Sequence, residues 1–209
     1  MGYLRKKLSS NRLSERIIWA AVMFFAMFFG IMLASYFLLP EGLLKNKNPL
    51  QSWNTSDSAL ILALQIFLYN LLSVLIIILA SLFARKKSSE ADYLSVGYMA
   101  YYTLISINSI VLGTWSFSVE TEAVPLIDRV AGTFDIIHRA GLWEMTGQLL
   151  ITCAIAHISV VRSSGSDTIK RNIREIRLAN SEKAALLIGI GFMLIGAFVE
   201  SISINNMGH

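Results

Sequence analysis

Residues 138–161 read HRAGLWEMTGQLLITCAIAHISVV, and this stretch decides the fold. Its second half is apolar enough to cross a membrane, whereas its first half carries His138, Arg139, Glu144 and Gln148. A carboxylate inside an apolar span costs at least about 2.5–3.5 kcal/mol. We therefore expect other helices to surround this stretch and to give Glu144 a polar partner, a polar cavity or a proton.

The composition of the whole chain also indicates a membrane protein. Of the 209 residues, 55% are hydrophobic and 15% are charged, and the mean hydropathy is +0.58. A soluble domain carries about 25% charged residues, so the charge is too low for an ordinary soluble fold. The only cysteine, Cys153, lies in an apolar run. One chain can therefore form neither an internal disulfide nor a thiolate metal cluster.

Five apolar segments are each long enough to cross about 30 Å of hydrocarbon as a helix. They cover residues 17–39, 59–83, 94–117, 141–161 and 184–204. The first follows a basic head, as the apolar core of a cleaved signal peptide does, but such cores are usually only about 7–15 residues long. We predict a single all-α domain with five transmembrane helices, the first of them retained.

Two further helices are predicted outside these segments. In residues 118–140, apolar side chains recur at helical spacing and Pro125 can open a helix. This short helix either lies in the membrane interface, where it can dip into the protein, or packs on the bundle outside the membrane. A second helix is predicted over residues 168–179, with Asp167 as its cap.

The basic residues predict the orientation. Fourteen of the 18 Lys and Arg residues lie in the N-terminal head, the second loop and the fourth loop, which share one side of a five-span bundle. Loops rich in Lys and Arg stay in the cytoplasm. We therefore expect a cytoplasmic N-terminus and a multi-pass location in the plasma or inner membrane.

Two acids lie inside the predicted spans, near the outer ends of two helices that run in opposite directions. They can share one depth, and amide side chains of other spans can hydrogen-bond to them. The predicted intramembrane cluster consists of Asn70, Asn108, Glu144, Gln148 and Glu200. It is either a functional site in the outer half of the membrane, entered through residues 124–139, or a set of hydrogen bonds that holds the helices of the bundle together. His138 and Arg139 are its candidate contributors from the outer face.

Glycines in the spans predict close helix packing, because a residue without a side chain lets two backbones approach. In the fifth span, two glycines share one helix face with Glu200. The predicted packing positions are Gly97, Gly113, Gly141, Gly147, Gly189 and Gly196.

The patterns of common catalytic and nucleotide-binding sites do not occur in this sequence. His138 and His157 are 19 residues apart, too far to share a metal ion on a straight helix. No Gly-rich loop ends in Lys-Ser or Lys-Thr, as a phosphate-binding loop would. The basic loops are typical of segments that face lipid headgroups or dock a cytoplasmic partner. We expect no enzymatic activity, cofactor, metal or nucleic acid.

Four motifs within residues 66–204 resemble the stage II sporulation protein M family. In chain order they are IFLYNLLSVLIII from residue 66, ISINSIVLG from residue 105, AGLWEMTGQ from residue 140 and IGFMLIGAFVESISI from residue 190. Ala140 stands where the family has a histidine, and Ser109 where it has a glycine. The positions that match the family's motifs are Asn70, Asn108, Gly113, Gly141, Glu144 and Glu200.

The resemblance implies a multi-span membrane protein without catalytic chemistry. The family's namesake resembles a scaffold for peptidoglycan-degrading partners, and other members resemble accessory subunits near ABC transporters or immunity proteins for circular bacteriocins. We therefore expect a non-enzymatic scaffold or accessory subunit of a cell-envelope complex, bound to the lipid bilayer and to itself or another membrane protein. The alternative is a transport, efflux or bacteriocin-immunity component. In it, Glu144 and Glu200 line a polar path, and an ABC-type ATPase docks on the basic loop at residues 162–183.

Overall fold

The fold is mostly helical with one small sheet. A computed structural model describes residues 2–45, 47, 56, 58–86, 92–117, 123–135, 140–165 and 167–207. The helices in these ranges are α1 (Gly2–Leu8), α2 (Leu13–Leu38), α3 (Ala59–Ser81), α4 (Gly97–Gly113), α5 (Leu126–Thr133), α6 (Gly141–Ala154) and α7 (Asn180–Met207). The strands are β1 (Phe83–Lys86), β2 (Leu94–Ser95), β3 (Val161–Ser164) and β4 (Asp167–Lys170).

Three helices are long and apolar enough to cross a membrane: α2, α3 and α7. Their apolar windows are only 22%, 22% and 33% buried, so most of their hydrophobic side chains point away from the protein. Narrow inner faces pack into the core, where Met32, Ile77 and Met193 are completely buried. Helices that are apolar on all sides yet exposed on most of them are typical of contact with lipid.

The helices in the third and fourth predicted spans are shorter than we expected. Helix α4 has 17 residues and α6 has 14. At 1.5 Å per residue these lengths are about 26 Å and 21 Å, below the 30 Å or so of a hydrocarbon layer. The two helices are therefore shorter than the predicted segments 94–117 and 141–161. Residues 94 and 95 form a strand, and the last predicted turns of the fourth span lie in a turn and in β3.

A four-stranded sheet in the order β2-β1-β3-β4 corrects the all-α prediction. Strands β1 and β3 pair in parallel, with Phe83 beside Val161, and the two outer pairs are antiparallel. The predicted helix over residues 168–179 is also wrong, because β4 and a 3-10 turn at Ile173–Glu175 occupy its first half. Two β-branched residues, Val160 and Val161, stand at the start of β3, where such residues favour a strand.

The helix ends gather at two ends of the bundle. Arg16 near the start of α2 contacts His157 beyond α6 and Glu182 at the start of α7. The sheet follows α3 and precedes α4 on this same side, which we call the basic end. At the opposite, distal end, Ser201 of α7 donates a 2.7 Å hydrogen bond to the carbonyl oxygen of Ala59 at the start of α3.

Helices α6 and α7 form the most extensive helix pair, and two glycines bring their backbones together. A Cβ atom on Gly147 would lie 2.5 Å from the carbonyl oxygen of Gly189, and one on Gly189 would lie 2.7 Å from that of Gly147. Both distances are below what real Cβ atoms tolerate. No larger residue fits at either position without separating the helices.

The other predicted packing glycines differ in what they touch. A Cβ on Gly113 would lie 2.6 Å from the carbonyl oxygen of Met32 on α2, and one on Gly97 would overlap the Ser81 hydroxyl of α3. Gly196 faces the stem of Glu144. Gly141, in contrast, has room, because its nearest neighbour would lie at 3.7 Å. Packing therefore does not require a glycine at position 141.

Arg129 of α5 binds the backbone at the distal, C-terminal end of α4. Its Nε donates to the carbonyl oxygen of Val124 at 2.7 Å, and its Nη1 donates to that of Gly113 at 2.6 Å. The guanidinium lies 4.8 Å from the ring centre of Tyr36 and 5.0 Å from that of Trp115. The carbonyl oxygens at a helix C-terminus carry partial negative charge, so they compensate this buried cation.

Candidate polar site between three helices

A polar cluster forms where α3, α6 and α7 meet. The amide nitrogen Nδ2 of Asn70 on α3 donates a hydrogen bond to Oε1 of Glu144 on α6. The carboxyl group of Glu144 also interacts electrostatically with that of Glu200 on α7. All three side chains are half-buried. The structure thus brings together one amide and two acids from three helices.

The shape of α7 makes room for this pair of acids. Gly196 lies one turn before Glu200, and a Cβ at position 196 would come within 2.9 Å of Cγ of Glu144. The ring of Trp143 packs edge-on against Phe192, with 5.3 Å between the ring centres, beside the same contact. The side chain of Glu144 therefore crosses from α6 over the bare backbone of α7 towards Glu200.

Gln148 adds a buried acceptor one turn along α6. Its side chain is 5% exposed, and Oε1 has no hydrogen-bond partner among the described residues. Leaving a buried polar group unpaired costs about 1–3 kcal/mol. Residues four apart share a helix face, so Gln148 lies on the side of α6 that carries Glu144. The site therefore has more acceptors than donors.

Within the described part of the chain, no basic side chain compensates the charge of the site, because neither Glu144 nor Glu200 forms an ion pair there. Two neighbouring carboxylates repel each other, and burial disfavours the charge on each. A proton, a cation or a hydrogen-bond donor from another molecule would relieve both penalties. The arrangement can thus bind or exchange a positive charge.

Three predicted contributors are not part of the described cluster. Asn108 is exposed on the outer side of α4, because the inner face of that helix is filled by Tyr98, Tyr101 and Ile105. His138 and Arg139 lie outside the described residues. Across the described ranges, no three His, Cys, Asp or Glu side chains are grouped to hold a metal ion.

No protein-family model, curated protein or solved structure matches this chain. The resemblance to the stage II sporulation protein M family is therefore a resemblance of four sequence motifs alone. Three of those motifs supply Asn70, Glu144 and Glu200, which meet in the structure. The fourth supplies Asn108, which does not reach them.

Sequence reasoning missed a second polar cluster at the basic end. Arg16 is completely buried, and its Nη2 donates to Oε1 of Glu182 at 2.5 Å. Its Nη1 lies 2.9 Å from Nδ1 of His157 and donates to the carbonyl oxygen of Ser10 at 3.0 Å. Oε2 of Glu182 accepts a 2.9 Å hydrogen bond from the backbone N–H of Ala179, which caps the start of α7. This ion cluster ties the head, α6 and α7 together.

The sequence carried one signal for the basic-end cluster. Glu182 stands three residues after Ala179 at the start of an apolar segment, which is the spacing of a helix-capping acid. Arg16 is the last charged residue before a long apolar run, where a basic residue is ordinarily solvated. Nothing local distinguishes this arginine from the exposed Arg12, because its side-chain partners His157 and Glu182 lie more than 140 residues away.

His157 should make the stability of the protein depend on pH. Burial, and secondarily the charge of Arg16, hold the pKa of His157 below its ordinary 6.5. Glu182 and Arg162 are the other charged groups that act on the ring. Between the lowered pKa and 6.5 the unfolded chain binds more protons than the folded one, so stability falls as the pH falls through this window.

Thermal unfolding in detergent between about pH 7.5 and pH 5 checks this expectation. The melting temperature of the wild type should drop more steeply across that range than that of His157→Gln, which cannot gain the proton. Identical slopes for the two proteins would contradict the expectation. Lowering the pH also protonates other groups, but the comparison with His157→Gln cancels those shared effects.

Proposed function

We propose that the chain is a multi-pass protein of the plasma or inner membrane that crosses the bilayer five times, with its N-terminus in the cytoplasm. The three long apolar helices support a membrane location. Helices α4 and α6 are short, but both lie between the long helices, where protein rather than lipid surrounds much of their surface. The basic end carries most Lys and Arg residues, which supports its placement on the cytoplasmic side.

We further propose that the protein is a non-enzymatic scaffold or accessory subunit of a cell-envelope complex. The half-buried pair Glu144 and Glu200, with the unpaired Gln148 acceptor beside it, carries this proposal. Acids in a membrane protein without a cation of their own mark a functional position. A basic or amide side chain of a partner helix, from a second copy or another membrane protein, supplies the missing donors.

Substitutions in the site test whether a partner protein binds there. We expect Glu144→Ala to reduce recovery of a co-purifying membrane protein about tenfold, the effect of losing one charge-assisted hydrogen bond. Glu144→Gln, which keeps an acceptor oxygen, should retain most of the partner. Mild detergent extraction followed by quantitative mass spectrometry measures both, and a differently tagged second copy of the chain detects self-association.

A pair of asparagines provides the matched control. Asn70→Ala removes the amide that orients Glu144 and should weaken partner recovery, whereas Asn108→Ala removes an exposed amide and should not. The scaffold proposal fails if no membrane protein, including a second copy, co-purifies with the wild type. It fails equally if all four variants recover the partner as well as the wild type does.

A transport, efflux or bacteriocin-immunity component working with an ABC-type ATPase is the second candidate. The closeness of the two carboxyl groups favours it, because such a pair can share and release one proton. The same variants distinguish the two candidates. If a proton is carried, Glu144→Gln and Glu200→Gln keep the folded protein and its ATPase partner, docked at residues 162–183, but abolish transport. If the protein is instead a scaffold, Glu144→Gln and Glu200→Gln leave the activity of the complex intact.

A further inference from the structure

One face of the sheet at the basic end is open. The register places Phe83 and Arg85 of β1 beside Val161 and Ser163 of β3, and alternate residues of a strand share a face. The opposite face carries Ala84, which is 2% exposed. The sheet therefore covers the protein with one side and presents the other to its surroundings.

A cavity of about 370 Å³ lies against this open face. Its lining consists of Phe83, Ala84, Arg85, Val96, Met99, Val161 and Ser163. The volume is within the range of small-molecule pockets, about 300–1,000 Å³. Strand β1 begins two residues after α3 ends, and Met99 is in the first turn of α4. The cavity thus lies where the apolar surface of the helices gives way to the basic end.

The two ends of the cavity differ in polarity. The Phe83 and Val161 pair is next to the helices, and the Arg85 and Ser163 pair lies two residues farther along, about 7 Å away. Met99 is 63% exposed and Phe83 is 50% exposed, so the apolar end opens onto the hydrophobic surface of the bundle. The cavity matches a molecule that is apolar at one end and polar at the other.

The polar end is positively charged. The guanidinium of Arg85 lies at this end and forms no hydrogen bond or ion pair with the described residues. Lys170 of β4 is on the same face but pairs with Val161, so its charge lies beside the apolar end. Asp167, the one acid in the four strands, pairs with Ser164 and so belongs to the other face. The N-terminus of the 17-residue helix α4 borders the cavity beside Phe83, because the backbone N–H of Val96 donates to the carbonyl oxygen of Phe83. Its partial positive charge therefore lies nearer the apolar end, and Arg85 supplies the charge of the polar end.

We propose that this cavity binds an anionic phospholipid of the surrounding leaflet. The phosphate lies against Arg85 and the Ser163 hydroxyl, and the acyl chains leave over Phe83 and Met99 onto the helices. Free phosphate would use the charged end but would gain nothing from the apolar end, which is why the lipid is the better fit. This inference rests on the membrane location proposed above, but it concerns a site separate from the Glu144 cluster and does not depend on the scaffold or transport role.

Binding of lipids with identical acyl chains to the purified full chain tests the proposal. Native mass spectrometry in detergent should show phosphatidylglycerol retained in preference to phosphatidylcholine. Arg85→Gln should weaken phosphatidylglycerol binding about tenfold, as expected for one charge-assisted hydrogen bond. Lys86→Gln is the matched control, because it removes the same charge one residue along on the opposite face. It should change binding by less than about twofold.

Three results would overturn the proposal. Equal binding of phosphatidylcholine and phosphatidylglycerol would show that the charge is not recognised. Equal losses in Arg85→Gln and Lys86→Gln would indicate a diffuse basic surface instead of a site. Complete displacement of the lipid by excess inorganic phosphate would indicate a simple anion site. If Arg85→Gln does not fold, Met99→Ser serves instead, because it reduces the apolar contact of an exposed side chain and should weaken lipid binding without changing the net charge.

Discussion

Gly147→Val is expected to destabilise the protein by about 3 kcal/mol or more, enough to prevent a monodisperse preparation. The first added carbon would lie 2.5 Å from the backbone oxygen of Gly189 and 2.7 Å from Cγ of Met193. A backbone atom cannot rotate away as a flexible side chain can, so α6 and α7 must separate. Separation would also pull Glu144 away from Gly196 and Glu200.

Size-exclusion chromatography and thermal unfolding in detergent measure this effect. Gly191→Val is the control, because it makes the same change on α7 two residues from Gly189, where an added Cβ meets nothing within 4 Å. It should unfold within about 1 kcal/mol of the wild type. If the two valine variants are equally stable, close approach of the backbones is not what holds α6 against α7.

Arg16→Met should destabilise the protein by about 3–5 kcal/mol, the cost of leaving one member of a buried ion pair without its partner. The methionine fills a similar space, so the loss arises from the charge that remains on Glu182. Glu182 is 7% exposed, and its carboxyl group would keep the hydrogen bond from the N–H of Ala179 and the 3.9 Å approach to Nδ1 of His157. The basic ends of α2, α6 and α7 would loosen together.

A double variant separates this charge effect from lost packing. Arg16→Met combined with Glu182→Gln leaves no buried charge, keeps a side-chain oxygen for Ala179, and should recover most of the lost stability. Arg12→Met removes an exposed arginine one turn earlier and should cost less than about 1 kcal/mol. Chemical denaturation in detergent ranks the four proteins. Failure of the double variant to recover would mean that the arginine acts through its packing.

The long helices could be predicted from the sequence because their signal is local. Most of helix α2 is the uncharged run that follows Arg16, and α3 is a second uncharged run. Helix α7 contains an apolar run from residue 184 that Glu200 alone interrupts with a charge. The meeting of Glu144, Glu200 and Asn70 could be anticipated for a related reason. A polar side chain in an apolar segment needs a partner, and few polar residues lie in the other segments.

The sheet could not be predicted because its pairing is not local. Strands β1 and β3 have four residues each and lie more than 70 positions apart in the chain. Four residues are too few for an alternating pattern to stand out. Residues 155–161 are also largely apolar, and for this reason they were included in the predicted fourth span, although α6 ends at Ala154.

Helical spacing alone does not predict which face of α4 is buried, because the hydrogen bonds of two tyrosines decide it. Tyr101 donates a hydrogen bond to the carbonyl oxygen of Met145, and Tyr102 donates one to that of Ala20. These tyrosines bury large apolar rings while their hydroxyl groups remain hydrogen-bonded. Burying the tyrosine face of α4 therefore stabilises the fold more than burying the face that carries Asn108 would. A helical wheel that treats every polar residue as inward-facing places Asn108 on the wrong side.

The parallel pairing of β1 with β3 has a consequence for how the chain is inserted during synthesis. Strand β1 leaves the ribosome well before β3, and the two can pair only if both reach the same side of the membrane. In the proposed membrane topology, this pairing opposes any arrangement that puts the end of α3 and the segment after α6 on different sides of the bilayer. The sheet thus adds a constraint on topology that the charge of single loops does not supply.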